Sequence, residues 1–361
     1  MGFTCGIIGL PNVGKSTIFN ALTGAGAPME NYPFCTIEPN RGIVPVPDER
    51  LARIAEILHR ESAIPTRIEF IDVAGLVKGA SKGEGLGNKF LGYIRNVDAL
   101  VQVVRCFSAG DVVHVAGGLD PLRDIAVINT ELMLADIEIL ERVLEKEMRL
   151  VRSGDRKARS RADLIERLIA HLNAGAPLRT LSLEEEERLA LSEFGVITDK
   201  PIIYCANVDE EDSSRRWAAR VEEAAAADGA ETIVLIGKLE EEISELPPHE
   251  KREYLEGMGL AESGLDRLVK TAYRVLDLIT YYTAATDLQA WTLTRNTPAL
   301  KAAGRIHTDF ERGFIRAEVY RYDDLERCGS EKAVREQGLV RVEGRDYLIQ
   351  DGDIVRYLFN V

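Results

Sequence analysis

Residues 8–17 read "IGLPNVGKST", and this stretch decides the fold. Gly9, Gly14, Lys15 and Ser16 satisfy G-x-x-x-x-G-K-[ST], the loop whose backbone amides wrap the phosphates of a nucleoside triphosphate. A chance match in a chain of this length is roughly a one-in-a-hundred event at average residue frequencies. The flanks agree with the motif: "FTCGIIGL" reads as a strand before it and "STIFNALTG" as a helix after it. Lys15 would then reach the β and γ phosphates, and the Ser16 hydroxyl would bind Mg²⁺.

Working outward, further apolar runs recur at "RIEFIDVAG", "ALVQVVRCF", "PIIYCANV" and "ETIVLIG", with helical segments between them. Runs apolar on both faces suit a parallel sheet between helices, so the expected fold is α/β and doubly wound. "FIDVAGL" supplies an acid at the end of a strand, Asp72, placed to hold Mg²⁺ through water. It also supplies Gly75, whose amide can sense the γ phosphate. Between this motif and the phosphate loop, "NYPFCTIEPNRG" can bring Thr36 over the metal as a second hydroxyl ligand. Such segments order around γ-phosphate and Mg²⁺ in switch proteins. A second switch is expected at "GLVKGASKGEGLGNK", whose glycines leave the backbone too free to be rigid unaided.

In GTPases of the Ras kind a Gln after the D-x-x-G glycine orients the attacking water, whereas this chain has Leu76, which can neither donate nor accept. Backbone groups, the substrate's own phosphate, a partner or a monovalent cation are left to position the water. Asn12 can offer its carbonyl to K⁺. The base-reading strand ends in Asn207, Val208, Asp209 and Glu210, where a guanine site carries N-K-x-D. Lysine has become Val208, and the fourth-position aspartate has become Glu210. A carboxylate displaced by one methylene misaddresses the guanine edge, so guanine preference should be lost. The backbone around Gly237, in "VLIGKLEE", can supply the remaining base-side loop.

The chain has 361 residues and a formal net charge of −14, which argues against non-specific coating of nucleic acid or anionic membrane. Its five cysteines (Cys5, Cys35, Cys106, Cys205 and Cys328) are widely spaced, with no C-x-x-C pair, so a reduced, cytoplasmic setting is expected. No apolar run approaches the roughly 20 residues that span a bilayer. From about Asn129 to Phe194 the strand pattern stops. Met133, Ile137, Leu140, Leu144, Met148 and Val151 form one helical stripe, and Leu164, Leu168 and Leu172 form a second. An antiparallel helical hairpin is expected there, its turn "RLVRSGDRKARSR" basic enough to be a candidate RNA-phosphate contact. From about Thr280, short β-branched and aromatic runs predict a small α+β module. His114 and Cys35 are read as structural rather than catalytic or redox-active.

"GLPNVGKST", "PFCTIEPN", "DVAGLVKGAS", "GEGLGN", "NVDE" and "AAGRIHTDFERGFIRAEV" together closely resemble the YchF family of Obg-like ATPases, over essentially the whole chain. The resemblance implies a P-loop G domain in two parts (1–128 and 196–278), a helical coiled-coil insertion (129–195) and a C-terminal TGS domain of β-grasp, ubiquitin-like shape (279–361). It implies Mg²⁺-dependent ATP hydrolysis preferred over GTP, and binding to the ribosome, through the large subunit or the whole particle, with ribosomal RNA. A monomer or weak dimer is expected. Carried onto this sequence, nucleotide contacts fall on Asn12, Val13, Gly14, Lys15, Ser16 and Thr17, with Val208 beside the base and Ser16 and Thr36 on Mg²⁺. A GTP-specific GTPase and a non-catalytic, ATP-stabilised binding module are the alternatives.

Overall fold

The computed structural model describes residues 2–24, 39–73, 86–108, 119–285 and 287–360. Thr36, Gly75, Leu76, Cys35 and His114 lie outside them. Along the chain run β1 (Thr4–Ile8), α1 (Lys15–Gly24), β2 (Asn40–Pro45), α2 (Glu49–Ile57), β3 (Ala63–Ile64), β4 (Arg67–Asp72), α3 (Leu86–Arg95) and β5 (Ala99–Arg105). Next come α4 (Pro121–Arg152), α5 (Arg156–Asn173), α6 (Glu185–Phe194), β6 (Ile202–Asn207), α7 (Asp212–Ala227) and β7 (Glu231–Leu235). Helices α8 (Gly237–Ser244), α9 (Pro248–Gly257) and α10 (Gly264–Val275) follow. The last elements are β8 (Leu278–Thr283), β9 (Leu288–Thr294), α11 (Ala299–Ile306), α12 (Thr308–Arg312), β10 (Phe314–Arg321), α13 (Tyr322–Cys328), α14 (Glu331–Glu336), β11 (Arg341–Glu343) and β12 (Asp353–Phe359).

The chain divides into two compact units, one of Met1–Val44 with Glu69–Thr271 and one of Pro45–Ile68 with Ala272–Val361. In the first, the strand order is β2-β4-β1-β5-β6-β7, and β4, β1, β5, β6 and β7 are parallel. All residues of β5 and β6 are buried, as a sheet covered on both faces requires. One face packs Ile8, Leu100, Val104 and Tyr204 against α3, α4 and α7. The doubly wound α/β expectation holds.

Helix α4 starts at Pro121, earlier than the boundary at Asn129 expected from sequence. Asp120 caps it, accepting from Arg123 N at 3.2 Å, and Pro121 sits in the first turn, where a missing N–H costs nothing. The reason is shared burial. Ile125, Ile128 and Leu132 belong to the core of the sheet, while Met133 and Leu140 face Leu164, Ile165, Leu168 and Leu172 of α5. One continuous helix therefore serves two cores, and no composition break marks the handover. Helix α6 closes the hairpin core with Leu191 and Phe194.

The hairpin is tied back to the sheet unit by Asp136, wholly buried, whose carboxylate accepts from Ile197 N (2.8 Å), Thr198 N (2.7 Å) and the Thr198 hydroxyl (2.7 Å). A second tie gathers Asn129 of α4, Arg179, Tyr204 of β6 and Asp228. The Tyr204 hydroxyl donates to Asp228 at 2.6 Å, and the Asn129 amide donates to both. Arg179 donates to Asp228 at 3.2 Å.

In the second unit the order is β11-β10-β12-β8-β9-β3. Strands β12 and β8 run parallel at the centre, with antiparallel neighbours β10 and β9 outside them, which is a β-grasp arrangement. The segment 45–68 joins this unit rather than the nucleotide domain in which the sequence reading placed it. Strand β3 extends the sheet edge beside β9, and α2 buries Leu51 and Ile54 among Tyr282, Leu325, Val334 and Ile354. Its cap, Asp48, is also an anchor: Arg50 bridges Asp48 (3.0 Å) and Asp351 (2.7 Å), and the Tyr282 hydroxyl donates to Asp48. Among the described residues, no helix is long and apolar enough to cross a membrane.

Candidate nucleotide site

The phosphate loop lies where β1 ends, with β4 on one side and β5 on the other, so the strand order reverses there. The carboxyl ends of parallel strands at such a point form the ligand crevice of open α/β sheets. The loop's shape follows from its residues. A Cβ on Gly9 would stand 2.9 Å from both the Val103 carbonyl oxygen and Val13 Cγ2, so only glycine lets the chain pass this close to β5. Val13 is 2% exposed and anchors the loop from below. Asn12 and Gly14 flank it at φ +64° and +90°, left-handed values that turn the chain back on itself before α1. Lys15 opens α1, whose first-turn amides and dipole favour an anion.

Lys15 Nζ stands 3.0 Å from Asp72 Oδ1, both side chains close to nine-tenths buried. Asp72 is brought there by sheet register, being paired with Ile7 of β1. The two residues assigned to phosphate and metal are thus already together. Ser16 is exposed at the start of α1 and Thr17 half-buried beside it. A hydroxyl at Ser16 and a carboxylate at Asp72 form an all-oxygen donor pair, which fits the hard cation Mg²⁺.

Asn207 ends β6 and is 5% exposed. Its amide donates to the Val13 carbonyl at 3.0 Å, and its carbonyl accepts from Gly237 N at 2.9 Å. One side chain therefore links phosphate loop and base-side loop, and a Cβ on Gly14 would meet its Nδ2 at 2.2 Å. Val208 lies on the opposite face of the sheet, 7% exposed and packed in the core with Ala206 and Val221. Asp209 is committed to the start of α7: it accepts from Glu211 N at 3.0 Å and from the Ser214 hydroxyl. Glu210 is exposed.

Two residues here escaped the sequence reading. Glu240, one turn beyond Gly237, is 5% exposed and accepts from Gly264 N (2.7 Å) and Leu265 N (3.3 Å), fastening the start of α10. Burial pushes its carboxyl above the ordinary value despite those bonds. It is hidden in sequence among the acids of "KLEEEISE". Arg105 ends β5 in register with Asn207, 4% exposed, its Nε donating to the Phe107 carbonyl at 3.1 Å. The one signal for it was a cation at the end of a strand that is apolar except for Gln102.

Fold and site together define a P-loop nucleotide-binding protein of the GTPase-like class, with a helical hairpin inserted in the sheet domain and a β-grasp unit. Residues 4–151 match a family described as 50S ribosome-binding GTPase, and residues 278–360 match the C-terminal domain of YchF GTPases, described as a protein of unknown function. Proteins named ribosome-binding ATPase YchF are similar over the full length of both chains: 49% identical in Haemophilus influenzae, 47% in Bacillus subtilis and 46% in Escherichia coli O157:H7. The solved YchF GTPase of Schizosaccharomyces pombe superposes with a TM-score of 0.87 at 34% identity, covering 99% of this chain and 98% of that one. The chain belongs to the YchF family.

Proposed function

We propose that the protein is a Mg²⁺-dependent ATPase that works as a nucleotide-controlled switch and binds the ribosome. The observation that carries ATP over GTP is the fate of the side chains after β6. Asn207 joins two loops and Asp209 is held at the start of α7 by Glu211 N and the Ser214 hydroxyl, so no aspartate is left to pair with a guanine edge. What remains for a guanine edge is Glu210, too long, and Val208, which cannot lie along the ring as lysine does. The names of the bacterial relatives agree with ATP, whereas the fission-yeast structure carries the name GTPase. GTP is therefore the second reading.

In this reading Lys15 leaves Asp72 for the phosphates, and the amides from Asn12 to Thr17 hold the α and β phosphates. Ser16 and Thr36, with Asp72 through water, would hold Mg²⁺, which when bound would supply charge neutralisation for the phosphates. Gly75 reports the γ phosphate, and the backbone at Gly237 lines the base, while the Val208 side chain stays in the core with Ala206 and Val221. Leu76 cannot orient water, so solitary turnover is slow, on the order of 10⁻⁴ to 10⁻² s⁻¹. Stimulation falls to a partner or to K⁺ near Asn12. A cytoplasmic monomer or weak dimer that touches ribosomal RNA, with the C-terminal unit acting as a TGS domain, completes the proposal.

The test is competition of ATP against GTP for the Mg²⁺-loaded protein, with and without ribosomes. ATP should win in both. GDP held a hundredfold more tightly than ADP would overturn the assignment.

A further inference from the structure

The turn between α4 and α5 carries six basic residues, and the structure sorts them into two sets. Arg149 pairs with Glu145, Arg159 with Asp163 at 3.2 Å, and Arg161 with Glu147 at 3.0 Å and Glu193 at 2.8 Å. Those three charges have acidic partners, Arg149 and Arg159 one turn away on their own helices and Arg161 on α4 and α6. Arg152, which ends α4, and Arg156 and Lys157, which begin α5, are exposed and form no ion pair with a described residue.

Arg152 suits the C-terminal end of α4, but the placement of Arg156 and Lys157 opposes local stability. The first turn of an α-helix repels cations, yet α5 opens on two of them and has no acid there. The one nearby acid, Asp155, is occupied as the cap, accepting from Lys157 N (2.8 Å) and Ala158 N (3.2 Å). In a chain of net charge −14, three uncompensated cations within six residues form a focus of the opposite sign. Helix α4 also continues past its last buried residue, Leu140, to Arg152, about 18 Å at the usual rise per residue. At the far end of that extension the surface is open, with Leu150 49% exposed beside the turn.

Resting on the ribosome-binding reading above, we infer that this turn is an RNA-docking tip. Arg152, Arg156 and Lys157 contact successive phosphates of ribosomal RNA. The ribosome's exposed surface is rich in RNA phosphates at regular spacing, and the planar arginine fork matches phosphate in two-point fashion. The paired arginines stay out of the contact, and Arg161 among them ties α5 to α4 and α6.

The test compares wild type with the tip variant Arg152→Gln/Arg156→Gln/Lys157→Gln and the control Arg149→Gln/Arg159→Gln. Each is measured for co-sedimentation with ribosomes and for filter binding to deproteinised ribosomal RNA across a salt series, with Mg²⁺ and a non-hydrolysable ATP analogue. The tip variant should bind both on the order of a hundredfold more weakly near physiological salt, with a log–log salt slope shallower by about 2 to 3. The control and every variant's solitary ATP hydrolysis should match wild type. A tip variant that sediments with ribosomes like wild type overturns the inference and leaves ribosome binding standing. Loss on ribosomes with no tip-dependent binding of naked RNA overturns it in favour of a protein contact. Tip-dependent RNA binding by a protein that ignores ribosomes supports the tip and defeats the ribosome reading instead.

Discussion

Asn207 shows how much of the site one residue can organise. Replacing it with Ala leaves the Val13 carbonyl and the Gly237 N–H buried without partners, a loss of about 2–4 kcal/mol. Denaturant unfolding should show that loss, and calorimetry should show weaker nucleotide binding, because both loops that frame the ligand are loosened. Lys15→Ala acts differently. It removes the phosphate-binding cation and leaves Asp72 without its 3.0 Å partner, so nucleotide affinity should drop by a hundredfold or more. An equilibrium titration in which Lys15→Ala retains near-normal affinity would exclude it from the phosphate site. The motif made Lys15 and Asp72 legible in the sequence. It could not show that Asp209 is held at the start of a helix by Glu211 N and the Ser214 hydroxyl, because Ser214 and Glu211 are ordinary residues until α7 forms.

At the scale of elements, the long helix α4 and its anchors matter most. Asp136→Ala should cost about 2–4 kcal/mol, since the amides of Ile197 and Thr198 lose a buried acceptor. Thermal unfolding checks it. The same carboxyl gives a signed pH effect. Burial outweighs its hydrogen bonds and raises its value above the ordinary 3.8. The unfolded chain therefore ionises first as pH rises, and wild type loses stability relative to Asp136→Asn from about pH 4 upward until the folded value is passed. A stability difference between the two proteins that does not change with pH would contradict this. The stripe in the sequence predicted the hairpin, because helical period is local information. Where α4 begins was not legible, since Ile125 and Met133 look alike until one meets the sheet and the other meets α5.

For the molecule as a whole, the missing water-orienting glutamine sets the kinetic expectation. Steady-state phosphate release should be slow alone and rise at least tenfold with ribosomes. It should run faster in KCl than in NaCl if Asn12 helps to hold the cation. Equal rates in the two salts would remove Asn12 from that role, and fast solitary turnover would remove the switch.

The phosphate loop, the parallel strands and the hairpin were determined by sequence alone, since each is a pattern of neighbours: a loop signature, an apolar run, a period near 3.6. Other features were decided only when distant segments met. Asn207 and Val13 are 194 residues apart, and Asp136 lies 62 from Thr198. The segment 45–68 took its place in the β-grasp unit because Leu51 and Ile54 find Tyr282 and Ile354 there. Pairings of this kind are chosen by complementary burial and hydrogen bonding across the fold, and no local stretch of chain encodes its partner.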